Sequence, residues 1–250
     1  MSIPQTVTCK NCQHQYIGNY CNMCRQSADT CRITWKEIVE HVLEVVFDVD
    51  KGFFHTVKEM MLRPGTTISE YLQGRRIAHF NPLMFLILLG GIASALYHLL
   101  HVNLIVEKVN FDSMDKTIPI LAHKYFIIIA AIMLVYLTLT DFILYRQKKY
   151  TIPELFVSNC FQIGEILIFQ ILLLPFLYLQ KYLNTAYALG IEIRYLVIIL
   201  FFSYLFFARY QFYGARKNIS LQLKIALQVI ALYIIIDAID PLHFIMEIRR

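Results

Sequence analysis

Two Cys-x-x-Cys pairs, Cys9-Lys10-Asn11-Cys12 and Cys21-Asn22-Met23-Cys24, are separated by eight residues. Each pair turns two thiols toward one point, and two such turns supply the four soft ligands that Zn2+ takes in a tetrahedron. Between them Gln13-His14-Gln15-Tyr16-Ile17-Gly18-Asn19-Tyr20 is turn-forming at Gly18-Asn19 and aromatic on both sides. It reads as a two-stranded hairpin with one cysteine pair at each base. A segment this short buries no core of its own, so a structural zinc on Cys9, Cys12, Cys21 and Cys24 would supply most of its folding free energy. Comparable zinc peptides gain about 10–16 kcal/mol in this way. Two disulfides are the competing arrangement. They need an oxidising compartment, whereas the chain opens Met-Ser-Ile-Pro-Gln-Thr without a secretory signal. A thioredoxin-like redox role lacks its βαβ surroundings. His14 and Cys31 are spare donors beside a shell that four cysteines already close. Cys160, inside an apolar run, is expected to be a small buried residue.

A second group of chemically capable residues lies within apolar stretches, where an ionisable side chain is costly and is a functional candidate by default. Glu165 has Asn159, Gln162 and Gln170 nearby. Residues three apart share a helix face, so Asn159, Gln162 and Glu165 form a polar stripe that must face other helices or a water-filled cavity. Asp237 and Asp240, followed by Pro241 and His243, could bind a cation or relay protons. Against this, Asp240-Pro241 can simply end a helix, and Asp237 can pair with Arg194. His98 and His101 are one turn apart at a helix end, and Asp141 is within reach of an interface or of Arg146.

The elements that must position these groups follow from composition. The chain is 58% hydrophobic and 16% charged, with positive mean hydropathy. Five stretches are apolar enough for transmembrane helices: about Pro82–His101, Tyr125–Tyr145, Leu155–Tyr182, Ile193–Tyr213 and Leu221–Ile245. Arg75-Arg76, Arg146 with Lys148-Lys149, and Arg216-Lys217 then fall on one side. The positive-inside rule makes that side cytoplasmic, together with the cysteine pairs. Arg249-Arg250 fits this scheme less well, since five spans leave it outside; a re-entrant last segment or a non-spanning third one is the alternative. The expected fold is an all-α polytopic membrane protein, with a zinc ribbon over 1–31, juxtamembrane helices over 32–80 and a transmembrane domain over 81–250.

Residues 32–80 are neither linker nor span. Ile33, Trp35, Ile38, Val39, Val42, Leu43, Val45 and Val46 recur at helical spacing. Phe53, Phe54, Val57, Met60 and Met61 form a second set that stops at Arg63-Pro64-Gly65. Thr67-Ile68-Ser69-Glu70 reads as a capping box opening a third short helix toward Arg75. These helices are expected in the cytoplasmic headgroup layer, with Trp35 at the interface; a small soluble helical domain packed on itself is the alternative.

In order, C-x-N-C, Tyr20-Cys21-x-x-Cys24-x-Gln26, Asp50-Lys51-Gly52-Phe53, Arg63-Pro64-Gly65, Tyr71-Leu72-x-Gly74-Arg75-Arg76 and Phe80-Asn81-Pro82 resemble an uncharacterised bacterial family classed as a domain of unknown function. The resemblance spans about residues 9 to 100. It implies an N-terminal zinc ribbon, several membrane spans and residence in the bacterial inner membrane, and it brings no activity. Arg25 departs from the pattern, where the family ending Cys-Gly-Gln calls for glycine.

Signatures of acyl, phosphoryl, zinc-protease and dinucleotide chemistry are absent from the sequence. The ribbon carries only Lys10 and Arg25 as basic residues, a poor nucleic-acid footprint. The net charge of +5 suits loops that face anionic headgroups. The preferred expectation is a multi-pass membrane anchor or scaffold, not an enzyme, whose ribbon binds a cytosolic protein partner and whose spans contact lipid and a second copy. A small oligomeric transporter or channel with a polar path around Glu165 is the alternative.

Overall fold

The computed structural model of the chain describes residues 6–30, 32–38, 51–100, 118–148, 150–183 and 193–238. Within them a small N-terminal ribbon sits on one end of a helical bundle. The ribbon contains β1 (Val7–Thr8) and β2 (Gln15–Tyr16), antiparallel with Val7 opposite Tyr16 and Thr8 opposite Gln15. The first cysteine pair is therefore the tip of this hairpin and not its base. The second pair forms a matching turn closed by a bridge between Tyr20 and Ser27. Gly18-Asn19 connects the two turns, which corrects the single hairpin expected from the sequence.

A helical turn at 35–38 follows, opened by Thr34. Glu37 N–H donates to Thr34 Oγ1 (3.4 Å) and Thr34 N–H donates to Glu37 Oε2 (3.1 Å), a reciprocal capping box. The box expected at Thr67–Glu70 is not one. Thr67 lies inside a helix, where its hydroxyl donates back to Arg63 O (3.0 Å). Most of the first expected amphipathic helix, residues 39–46, lies outside the described residues.

Helix α1 (Lys51–Leu62) and α2 (Pro64–Leu72) are separated by one residue. Pro64 ends α1 because it has no N–H to continue the ladder, and its fixed φ suits the first turn of α2. Met60 O, left without that N–H, instead accepts the Tyr204 hydroxyl at 3.1 Å. Helix α3 (Pro82–Leu100) opens on Asn81, whose Oδ1 accepts from the N–H groups of Leu83 (3.0 Å) and Met84 (3.2 Å). Phe53 packs edge-on to Phe80 (5.6 Å) and tilted against Phe85 (5.7 Å), pinning that helix start to α1.

The rest is α4 (Ile118–Leu144), α5 (Ile152–Leu183), α6 (Ile193–Phe212) and α7 (Ile219–Ala238), with short 3-10 turns after α4 and α6. With α3 they correspond to the five expected apolar segments. Helix α5 is the centre. A Cβ on Gly164 would overlap the Phe85 ring, so α3 lies close against it. Phe169 packs on Tyr204 of α6 at 4.9 Å. Among the described residues one stretch, Ile152–Phe176, is long and apolar enough to cross a membrane, and 72% of its most apolar window is buried in the molecule; Pro82–Tyr97, Ala130–Leu144 and Ile219–Ile235 are apolar but shorter.

Burial runs against the usual soluble pattern. Asp141 and Arg209 are 0% exposed, whereas Ile143 is 71% and Leu227 67% exposed. Exposed Val135, Leu139 and Phe142 line one side of α4, and Leu223, Leu227, Ile230 and Ile234 one side of α7. Those spacings of three and four are apolar stripes on the outer faces of the bundle.

Candidate metal knuckles and a buried polar node

The two knuckles repeat one backbone design. Cys9 N–H donates to His14 O (2.9 Å) and Gln13 N–H to Cys9 O (2.9 Å); Cys21 N–H donates to Gln26 O (2.8 Å) and Arg25 N–H to Cys21 O (2.8 Å). Each turn needs a left-handed residue directly after its second cysteine, and these are Gln13 (φ 62°) and Arg25 (φ 64°). That is the reason glycine fits position 25, and Arg25 adopts the conformation without it.

The geometry brings all four sulfurs within 4.8 Å of one another, a cluster compatible with a metal site. Cys9 Sγ lies 3.5 Å from Cys24 Sγ, and Cys12 Sγ 3.6 Å from Cys21 Sγ. Cys9 and Cys21 are buried with Tyr16 in a miniature core, and Cys12 is exposed. Burial would raise the Cys9 thiol, but N–H groups of Cys12 and Asn11 and the Cys24 thiol outweigh it and draw the pKa down to about 7. For Cys12 the His14 N–H acts downward, yet desolvation and the three neighbouring thiols together push it up to about 12. Four thiolates this close repel, so a cation is what would let all of them ionise. His14 is exposed and outside the cluster, as expected, and Cys31 lies outside the described residues.

The ribbon is docked on the bundle. Gln26 Nε2 donates to Gly74 O (2.6 Å) and to Thr30 Oγ1 (3.3 Å), and Lys10 Nζ donates to Thr30 O. Gly74 ends α2 with φ +106°, a conformation glycine adopts freely, and a Cβ there would crowd Lys10 at 3.0 Å. Further on, Arg32 forms a bidentate pair with Glu154 of α5 (2.7 and 3.1 Å), which keeps the Arg32 guanidinium pKa above its ordinary value. Trp35 packs edge-on to Phe156 at 5.1 Å. Trp35 thus contacts the first turns of α5 while remaining partly exposed.

The expected Glu165 stripe divides in two. Asn159 belongs to a node built from four helices. Arg209 of α6 makes an ion pair with Asp141 of α4 and donates to Asn159 Oδ1 (2.7 Å) of α5 and Gln228 Oε1 (3.0 Å) of α7. Asn159 Nδ2 returns a hydrogen bond to Asp141 Oδ2 (3.0 Å), and Gln228 Nε2 donates to Asp141 Oδ1 (2.8 Å). Tyr145 adds its hydroxyl to Gln228 Oε1 at 2.9 Å. Asp141 is therefore paired with Arg209 and not with Arg146. Sequence reasoning missed Arg209 and Gln228; an Arg amid the apolar run of α6 was the signal that could have found them.

Gln162 and Glu165 lie deeper along α5. Gln162 Nε2 donates to Ser158 Oγ (3.0 Å), while Gln162 Oε1 and both Glu165 carboxyl oxygens are buried without a partner. Asp240, His243 and His101 lie outside the described residues, and Asp237 is on α7.

No curated protein and no solved structure matches the chain. Residues 50–93, which run from the Asp50-Lys51-Gly52-Phe53 motif through Phe80-Asn81-Pro82 into α3, match the model of an uncharacterised family described as a protein of unknown function, DUF3667.

Proposed function

We propose that this chain is a multi-pass protein of the bacterial cytoplasmic membrane whose zinc ribbon, braced on the cytosolic end of its bundle, serves as a docking scaffold for a cytosolic protein. The carrying observation is the inverted sidedness of α4 and α7, with charge and amide groups inside and stripes of leucine, isoleucine and valine outside. Lipid is the surroundings in which such stripes carry no penalty. All five helices α3 to α7 cross in this reading, those shorter in apolar length drawing on their flanking aromatic residues. The sidedness rests on Arg75-Arg76, Arg146 and Arg216-Lys217, which lie before α3, after α4 and after α6.

The ligand set suits zinc. A tetrahedron with Zn–S near 2.3 Å has sulfur–sulfur edges of about 3.8 Å, and two sulfur pairs here, at 3.5 and 3.6 Å, are close to that edge. Cys9, Cys12, Cys21 and Cys24 would hold the ion, and its charge would supply folding energy without a catalytic role, since no ligand position is left open. The ribbon exposes Ile17, Tyr20 and Met23, the last 71% exposed. These are the side chains offered to a partner.

The test is fractionation of the full-length chain. It should remain in the membrane pellet through alkaline carbonate extraction. In inverted vesicles, protease should reach both the ribbon and the Arg216-Lys217 turn. Release into the carbonate supernatant would sink the bilayer reading, and protection of the ribbon would reverse its orientation.

A further inference from the structure

Glu165 is 0% exposed, as is Gln162 one turn before it on α5. Three oxygens on these two side chains, Glu165 Oε1, Glu165 Oε2 and Gln162 Oε1, are buried with no hydrogen-bond partner. All three are acceptors when the carboxyl is ionised, so the missing component is a donor or a cation. An ionised carboxylate left alone in a protein interior is strongly disfavoured, and a neutral acid avoids most of that cost. A metal cation fits poorly. Hard cations take about six or more oxygens, and three orphan atoms fall well short. The titratable group facing Glu165 among the described residues is Tyr204 of α6, whose hydroxyl already donates to Met60 O. From α3 the side chains against this turn of α5, at Gly164, are Phe85 and Leu89. Gln162 is oriented to receive a donor, because its amide nitrogen is committed to Ser158 Oγ and its oxygen is not.

We infer that Glu165 and Gln162 form a proton-binding site in the interior of the bundle, with Glu165 held as a neutral carboxylic acid and Gln162 Oε1 as the acceptor of its O–H. The proton supplies the one donor the group lacks. Its release leaves a charge that no cation among the described residues answers, so ionisation of Glu165 forces α5 either to shift or to admit water. Packing of protein around α5 withdraws Glu165 from water. The inference therefore stands on burial alone and would survive failure of the bilayer reading.

Infrared spectroscopy of the detergent-purified, full-length protein tests it. At pH 7 the wild type should show the carbonyl stretch of one un-ionised carboxylic acid, absent from Glu165→Gln. Gln162→Leu should retain the band and move it toward the position of an acid without an acceptor. A wild-type pH series decides the matter even where a variant does not fold, because the acid band present at pH 7 must fall as the pH is raised and return when it is lowered. Carboxylate bands alone at pH 7 would overturn the inference. So would loss of the acid band on adding Na+ or K+ at constant pH, since the site would then hold a cation.

Discussion

The cysteine knuckles and the Asp141–Arg209 node are both clusters of polar groups, and they are completed in opposite ways. The knuckles draw on cysteines at most 15 residues apart and gather four acceptor sulfurs around a point with no positive charge of their own. The node draws on residues 68 and 87 positions apart, and it carries its own cation, anion and amides. On the zinc reading, one cluster takes its counter-charge from outside the chain. The other holds a cation and an anion of its own, with Arg209 Nε left as an unpartnered donor, and fastens four helices together. A cluster lacking its counter-charge points to a ligand, whereas a cluster that carries both charges points to architecture.

The largest expected effect separates the two directly. Stripping the metal with a strong chelator removes about 10–16 kcal/mol of binding free energy from the ribbon. Residues 6–30 should become sensitive to protease, while the helical circular dichroism of the bundle stays near its starting value. If the helical signal collapses as well, the bundle depends on the ribbon and the contrast is false. Retention of protease resistance after full metal removal would mean that the knuckles, too, are self-sufficient.

The next effect lies inside the node. Asp141→Leu or Arg209→Met alone strands the partner charge in a dry interior and should cost about 3–5 kcal/mol, read as a lowered unfolding midpoint in detergent. The double variant removes both charges. It should be closer to wild type than either single, because desolvation of the pair offsets much of its attraction. A double variant that loses the sum of the singles would show that the ion pair is worth more than hydrocarbon in its place.

These differences also decide what the sequence can disclose. Cys-x-x-Cys spacing encodes a turn and two ligands within four residues, so the knuckle was readable before any fold. The five long apolar segments were readable for the same local reason. The node was not, since Arg209 reaches Asp141 only once α4, α5, α6 and α7 are packed, and Asp141 has a plausible local partner in Arg146. The misplaced capping box is instructive: Thr67-x-x-Glu70 and Thr34-x-x-Glu37 share one pattern, and only Pro64 starting α2 three residues earlier decides between them. Short motifs that looked independent turn out to be docking points. Gly52 and Phe53 meet His79 and Phe80, Gly65 meets Gln211 and Phe212, and Gly74 meets Gln26 and Lys10.

Gly65 measures how closely α2 is joined to the bundle. A Cβ there would overlap the Phe212 backbone nitrogen and Gln211 Cβ, and Gly65 N–H donates to Gln211 Oε1 at 3.2 Å. Gly65→Ala must therefore move two backbones apart and should cost about 1–3 kcal/mol. Lowered thermal stability without any change in metal content is the expected result. Metal loss in this variant would couple the α2–α6 contact to the knuckles and weaken the separation of the two regions.

The smallest effect has the opposite sign and belongs to the knuckle. Arg25 holds φ at 64°, a region that costs an L-residue roughly 1–2 kcal/mol and glycine almost nothing. Glycine is more flexible in the unfolded chain, which takes back up to about 1 kcal/mol of that relief. Arg25→Gly should thus tighten metal binding by a factor of a few, measured by competition with a chromogenic chelator. Gln13 holds the equivalent φ of 62° in the first knuckle, so Gln13→Gly should act in the same direction. A gain in both turns would show that the ribbon holds its four sulfurs against backbone strain at two matching positions. Weaker binding in Arg25→Gly would assign the side chain a contact that outweighs the strain.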